Sequence, residues 1–138
     1  MKIAVVYWSG TGNTEAMANA VAEGIKANGA EAVMLSSITA SEINDYHAVA
    51  FGCPAMGSEV LEESEFEPMF AAIEGNLNGK KIALFGSYGW GDGEWMRSWA
   101  DRCQAAGAVF ACDYVIANDA PDDEAIEACK NLGAALTK

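Results

Sequence analysis

The chain has 138 residues, 51% of them hydrophobic, and eight Lys and Arg against twenty Asp and Glu give a formal net charge of −12. That length suits one domain whose core needs neither disulfides nor metals to hold it. The acidity argues against nucleic acids and anionic membranes as partners, and no apolar run approaches the ~20 residues of a membrane span. The cysteines are Cys53, Cys103, Cys112 and Cys129, and His47 is the only histidine. None forms a C-x-x-C pair, so a zinc or iron–sulfur site is excluded and free, mostly buried thiols are expected.

The first apolar run, Ile3–Trp8, passes straight into Ser9-Gly10-Thr11-Gly12-Asn13-Thr14. No cleavage site follows it, so it reads as a strand and not a signal peptide, and a cytoplasmic protein is expected. Met17, Val21 and Ile25 then recur at helical spacing and stop at Asn28-Gly29. Ala32–Leu35 is the second strand, Ser37–Tyr46 holds a short helix beginning around Ser41, and Ala48–Cys53 is the third strand. A second long helix carries Phe66, Phe70, Ile73 and Leu77. Ser64-x-x-Glu67 resembles its capping box, and Pro68 fits in the first turn. Lys81–Gly86 is the fourth strand, and Trp95, Trp99 and Cys103 mark a helix ending near Gly107. Val109–Ile116 is the last strand; the final helix carries Ala125, Cys129, Leu132 and Leu136 and is opened by Asp122 or Asp123. Such alternation predicts an α/β fold: a doubly wound five-stranded parallel sheet, order 2-1-3-4-5, with helices on both faces and residues 1–138 in a single domain. Ligands of such sheets bind at the carboxyl ends of the strands, at the switch point between strands 1 and 3.

The residues after each strand test that expectation. Ser9–Thr14 offers two glycines, four hydroxyl or amide side chains and a helix N-terminus, which together make an anion site suited to phosphate. It lacks the Lys of a Walker A loop, and Glu15 stands where G-x-G-x-x-G needs its third Gly. The plainer reading is an ordinary β–α turn capped by Asn13 or Thr14. Strand 3 leads to Cys53-Pro54-Ala55-Met56-Gly57-Ser58-Glu59, strand 4 to Ser87-Tyr88-Gly89-Trp90-Gly91-Asp92-Gly93, and the last strand to Asn118-Asp119. Met56 and Trp90 are large apolar side chains on glycine-rich loops. A flat ligand between the loops accounts for both; the alternative is that Trp90 folds back onto the helix of Trp95 and Trp99.

Ser9–Thr14 resembles the flavodoxin phosphate loop, T/S-x-T-G-N-T. Ala55–Glu59 and Gly86–Gly93 resemble the two flavin-clasping loops of short-chain, clostridial-type flavodoxins. The last strand lacks the long insertion of the long-chain members. The resemblance spans the whole chain and implies noncovalently bound FMN. By analogy, Ser9, Gly10, Thr11, Gly12, Asn13 and Thr14 take the phosphate. Pro54 stands where family members often have a Ser hydroxyl, so one phosphate bond is missing or replaced. Pro54, Ala55, Met56, Gly57 and Ser58 form the inner clasp, with Met56 on the inner face of the ring, and Glu59 accepts from the flavin N3–H. Ser87, Tyr88, Gly89, Trp90 and Gly91 form the outer clasp, with Trp90 stacked on the outer face. Asn118 and Asp119 border the ribityl chain or ring edge.

In this family the peptide after the Met flips on one-electron reduction, so that its carbonyl accepts from the protonated N5. Gly57 permits both orientations. The implied function is a low-potential one-electron carrier using the semiquinone/hydroquinone couple, with no substrate turnover of its own. Its partners are then redox proteins with basic docking surfaces, steered by Glu62, Glu63, Glu65 and Asp92, and the carrier itself is a monomer. An NAD(P)H-dependent FMN flavoenzyme on the same fold is the alternative. A phospho-receiver lacks its acidic cluster and Asp here, and a low-molecular-weight phosphatase lacks its C-x5-R loop.

Overall fold

Each apolar run alternates its side chains between two faces, and both faces are covered. The computed structural model describes residues 1–138. In chain order the elements are β1 (Lys2–Tyr7), α1 (Asn13–Ala27), β2 (Glu31–Leu35), α2 (Ala40–Ile43), β3 (Ala48–Gly52), α3 (Phe66–Ile73), β4 (Lys81–Tyr88), α4 (Glu94–Ala105), β5 (Val109–Phe110), β6 (Val115–Asn118) and α5 (Asp123–Leu136). Ile3 and Val5 of β1 pack with Met17, Val21 and Ile25 of α1 and with Cys129 and Leu132 of α5. Ala4 and Val6 face the other way, toward Phe66 and Phe70 of α3 and Trp95 and Trp99 of α4. On that side Phe66 and Phe70 meet the Trp99 ring edge to face, at centroid distances of 5.5 and 5.7 Å. Each such pair adds roughly 0.5–1.5 kcal/mol beyond area burial.

All strand pairings are parallel, in the order β2-β1-β3-β4-β5, with β6 also on β4. This is the expected 2-1-3-4-5 sheet. The expected unbroken strand from Val109 to Ile116 is instead two pieces. Between Ile82 and Phe85 β4 advances three residues, while the edge advances five, from Phe110 to Val115. The two surplus residues leave the ladder, as in a bulge, and the edge strand resumes only beside the carboxyl half of β4.

Helix ends follow local chemistry. Thr39 and Glu42 form a reciprocal capping box on α2, and Asp122 accepts from the Ala125 amide to open α5. The expected box of Ser64 and Glu67 does not form. The Glu62 carboxylate caps α3 instead, accepting from the amides of Ser64 (2.8 Å), Glu65 (2.7 Å) and Phe66 (2.9 Å) and from the Ser64 hydroxyl.

Two glycines set the crossing of α1 and α5. A Cβ on Gly24 would lie 2.0 Å from the Lys130 carbonyl oxygen, and one on Gly133 would lie 2.2 Å from that of Val21. An exposed helical Gly→Ala change raises stability by up to ~1 kcal/mol. Here the contact reverses the sign: Gly24→Ala is expected to lower urea-unfolding stability by about 2 kcal/mol. A more stable variant would show that the helices part freely.

Candidate cofactor site

The parallel strands deliver their following loops to one edge. The Trp8 amide extends the β1 ladder to the Gly52 carbonyl (3.0 Å), and the chain then curls. Ser9 Oγ ties the curl by accepting from the amides of Gly12 and Glu15, both at 3.2 Å. Ser9 therefore does what was expected of Asn13 or Thr14, and α1 starts behind Gly12 at φ 95° with no side-chain cap of its own. The amides of Gly10, Thr11, Asn13 and Thr14 find no acceptor within the chain. Together with the helix N-terminus they form an anion cradle without a cation.

Thr14 is buried, and its Oγ1 lies 3.1 Å from Ser87 Oγ and accepts from the Ser87 amide at 3.4 Å. That pair joins the first loop to the end of β4. The Ala55 amide donates to the Ser87 carbonyl (3.0 Å), which brings in the loop after β3. Beyond it, Met56 N–H donates to the Val60 carbonyl (3.0 Å) and Glu59 N–H to the Met56 carbonyl (2.8 Å), closing a tight turn. Gly57 and Ser58 are exposed at its tip, and a Cβ on Gly57 would meet nothing within 4 Å. Glu59 sits at φ 54°. Its Oε1 is buried without a hydrogen-bond partner, and a Cβ on Gly91 would lie 2.3 Å from it. The inner and outer loops thus meet at an unsatisfied carboxylate oxygen.

Trp90 is 61% exposed and pairs with no other ring, so it does not fold back onto α4. Asn118 Nδ2 donates to the Tyr88 carbonyl (3.3 Å), and so does the Asp119 amide (2.7 Å), with Asp119 at φ 56°. These bonds hold the end of β6 against Gly89. A crevice of about 270 Å³ runs between the loops. Ser9, Gly10, Thr11 and Thr14 line it from the first loop, Pro54, Ala55, Met56 and Gly57 from the second, and Ser87 and Tyr88 from β4. Gly12, Asn13, Ser58, Glu59, Gly89, Trp90, Gly91, Asn118 and Asp119 lie outside that lining. Trp8 lines the crevice too, with its ring 3.0 Å from where a Gly10 Cβ would be. Trp8, expected as the last residue of the first strand, lies one residue past β1, and its position beside the phosphate-type loop is the sequence signal for its place here.

The carboxylates around the crevice divide unlike their sequence. Glu62 is 5% exposed and is occupied by the α3 cap, so it does not face a partner. Glu67 and Glu74 hold Arg102, with Glu67 at 2.7 Å from both terminal guanidinium nitrogens, and Asp92 pairs with Arg97 at 3.0 Å. Glu63 and Glu65 stay exposed and unpaired. Cys53 lies buried beside the site. Burial dominates its titration and pushes the thiol up to about 12, against a smaller downward pull from the Glu62 amide. It is therefore protonated and inert at neutral pH.

Burial alone would raise Glu62, but its hydrogen bonds outweigh that and hold the carboxyl at about 2, below its ordinary 4.5. A lowered pKa contributes stability that is present above pH 4.5 and is lost as the pH falls toward 2. Glu62→Gln is expected to cost about 1–2 kcal/mol at pH 7. It should also flatten the pH dependence between 4.5 and 2, as read by chemical unfolding at each pH. Parallel pH profiles for the two proteins would contradict this.

The fold and crevice define a doubly wound α/β protein that presents amide donors and a helix end to an anionic ligand. The sequence profile of the Flavodoxin family matches residues 5–133. The flavodoxin of Megasphaera elsdenii is 46% identical over 138 residues, covering 99% of this chain and 98% of that one. The flavodoxin of Clostridium beijerinckii is 47% identical over 131 residues, 94% of each. The solution structure of two-electron reduced Megasphaera elsdenii flavodoxin superposes with a TM-score of 0.86 over 97% of both chains. The chain belongs to the flavodoxin family.

Proposed function

We propose that the crevice holds one FMN noncovalently and that the chain passes single electrons at low potential between redox enzymes. The observation that carries this reading is the set of partnerless amides at the first loop of the crevice, with a partnerless carboxylate oxygen where the two neighbouring loops meet. Four free amides surround an anion position in the Ser9–Thr14 loop, and the buried Glu59 Oε1, next to Gly91 and outside the crevice lining, has no partner. A monophosphate on a ring bearing an N–H satisfies both. The glycines fit as well: a side chain on Gly91 would strike the Glu59 carboxylate, and Gly57 stands in open space.

FMN, when bound, supplies redox chemistry in one-electron steps. The Ser9–Thr14 loop would hold its phosphate through amides, the dipole of α1 and the Ser9 and Thr11 hydroxyls. Ser9 Oγ has its acceptor positions engaged by Gly12 and Glu15, which leaves its O–H to donate outward. Met56 and Trp90 would bracket the ring, Glu59 would accept its N–H, and the Gly89–Gly91 backbone with Asn118 and Asp119 would close the edge. Gly57 lets the Met56–Glu59 peptides reorient toward the ring without a Cβ clash. Exposed Glu63 and Glu65 add negative charge beside the site, which opposes placing a second negative charge on the ring and favours a partner with a basic face. Four free cysteines suit the reducing cytoplasm.

The purified apoprotein is expected to bind FMN at least ~30-fold more tightly than riboflavin, about 2 kcal/mol, in a fluorescence-quenching titration. Equal affinities would remove the phosphate loop from the reading. Anaerobic titration with dithionite should reduce the FMN complex in two resolved one-electron steps, and the protein alone should not oxidise NADPH; a single two-electron step or steady NADPH turnover would favour the flavoenzyme alternative.

Trp90→Ala separates binding from folding. Because Trp90 is exposed, its loss should change apoprotein stability by less than ~0.5 kcal/mol. FMN affinity should nevertheless fall by about 1 kcal/mol or more, roughly fivefold. Unchanged affinity would place the indole outside the site.

A further inference from the structure

The β3–β4 ladder breaks at the point where the chain turns toward Met56. Its register runs to Gly52 opposite Phe85, and the Cys53 amide continues it to the Phe85 carbonyl (3.2 Å). In a parallel pair the next bond should run from the Ser87 amide to the Cys53 carbonyl. It is absent. The Ser87 amide donates to Thr14 Oγ1 instead, and the Cys53 carbonyl accepts from the Trp95 indole N–H at 3.1 Å. Pairing resumes one step on, with the Ala55 amide on the Ser87 carbonyl (3.0 Å).

We propose that Trp95 is a positioning residue for the crevice: its indole N–H holds the Cys53 carbonyl out of the ladder and so sets the direction in which the chain leaves β3 toward Met56-Gly57. Gly86 opens the passage. A Cβ there would lie 2.2 Å from the Cys53 oxygen and 3.2 Å from Trp95 Cζ2, so any larger residue would occupy the path of this bond. Trp95 is 2% exposed, and its ring also packs on Tyr88 at a centroid distance of 5.6 Å. One buried indole therefore touches the exit of β3 and the end of β4, where the inner and outer loops begin. A buried N–H deprived of this acceptor would be left unsatisfied, so the contact is strongly held. The role rests on the crevice being the FMN site; the hydrogen bond itself does not.

The two are tested separately. In the wild-type apoprotein, nitrogen-15 NMR should find the Trp95 indole proton exchanging with solvent at least ~100-fold more slowly than that of exposed Trp90, a difference expected of a buried, bonded group. Gly86→Ala should abolish that protection. Trp95→Phe keeps an aromatic ring, smaller than the indole, and loses the N–H. It should retain the fold by circular dichroism and the preference for FMN over riboflavin. Its FMN affinity should drop about tenfold, and the comproportionation constant of the bound flavin should fall about tenfold, which brings the one-electron potentials ~59 mV closer. A residue serving the core alone would lower stability and leave that constant unmoved. Rapid exchange at Trp95 in the wild type, or a Trp95→Phe protein with affinity and constant both within twofold of wild type, overturns the proposal. Should Trp95→Phe fail to fold, Gly86→Ala carries the test: lost indole protection with FMN affinity and comproportionation constant both within twofold of wild type overturns the proposal. Failure of wild-type apoprotein to bind FMN would sink the functional reading and leave the exchange result standing.

Discussion

A parallel sheet must stop somewhere, and in this protein one rung near the end of the β3–β4 ladder gives both of its backbone groups to side chains. Just beyond Gly52 and Phe85 the ladder skips one bond: Ser87 turns its amide to Thr14, and Cys53 turns its carbonyl to Trp95. Unpaired polar groups at this depth would each cost about 1–3 kcal/mol. Side chains from two different helices satisfy them, and in doing so they fasten three loops to one another. The crevice is the space that this exchange leaves open, and its walls are held by buried bonds rather than by loop conformation alone.

Electrostatics within that frame are asymmetric. The protein is strongly acidic, yet it prepares a site for an anion using only amides, hydroxyls and a helix end. Bringing a Lys or Arg into the loop would bind phosphate more strongly, but it would also add positive charge to the site and ease the addition of negative charge to the cofactor. The carboxylates are sorted to match. Glu62, Glu67, Glu74 and Asp92 are engaged by amides or arginines, and the exposed charge of the Glu59–Glu67 segment falls to Glu63 and Glu65.

The sheet order and the three loops could be read from the sequence because strands of alternating or continuous apolar residues admit few arrangements, and because odd residues at strand ends have few structural uses. Trp90 followed that logic and projects into solvent. The misreadings share a different cause. Glu62 looked like surface charge, since one carboxylate in an acidic run carries no mark of the amides it will meet; Ser64 and Glu67 fitted the capping spacing equally well. The last strand looked continuous because Ala111 and Cys112 are as apolar as a strand requires, and only the register against β4 exposes the surplus residues. Trp8 and Trp95 were assigned to strand and core. Trp95 is buried as expected, whereas Trp8 is half-buried and lies one residue past β1; hydrophobicity registers the ring and not where its edge or its N–H points.

The stiffness of the surroundings sharpens what the Met56–Glu59 turn can do. On either side of it the chain is tied, at Ala55 to Ser87 and through Cys53 to Trp95 and the Glu62 amide. Within it, two backbone bonds close a turn whose tip is exposed, and Gly57 touches nothing that would resist rotation. A peptide that reorients in a loose loop spreads its energy over many residues. One that reorients between fixed ends confines the change to a few dihedrals, so the free energy of a single new hydrogen bond, about 1 kcal/mol, is not dissipated in the rest of the loop. Rigid anchors around one unconstrained glycine are therefore the arrangement in which a small local rearrangement can register as a shift in redox potential.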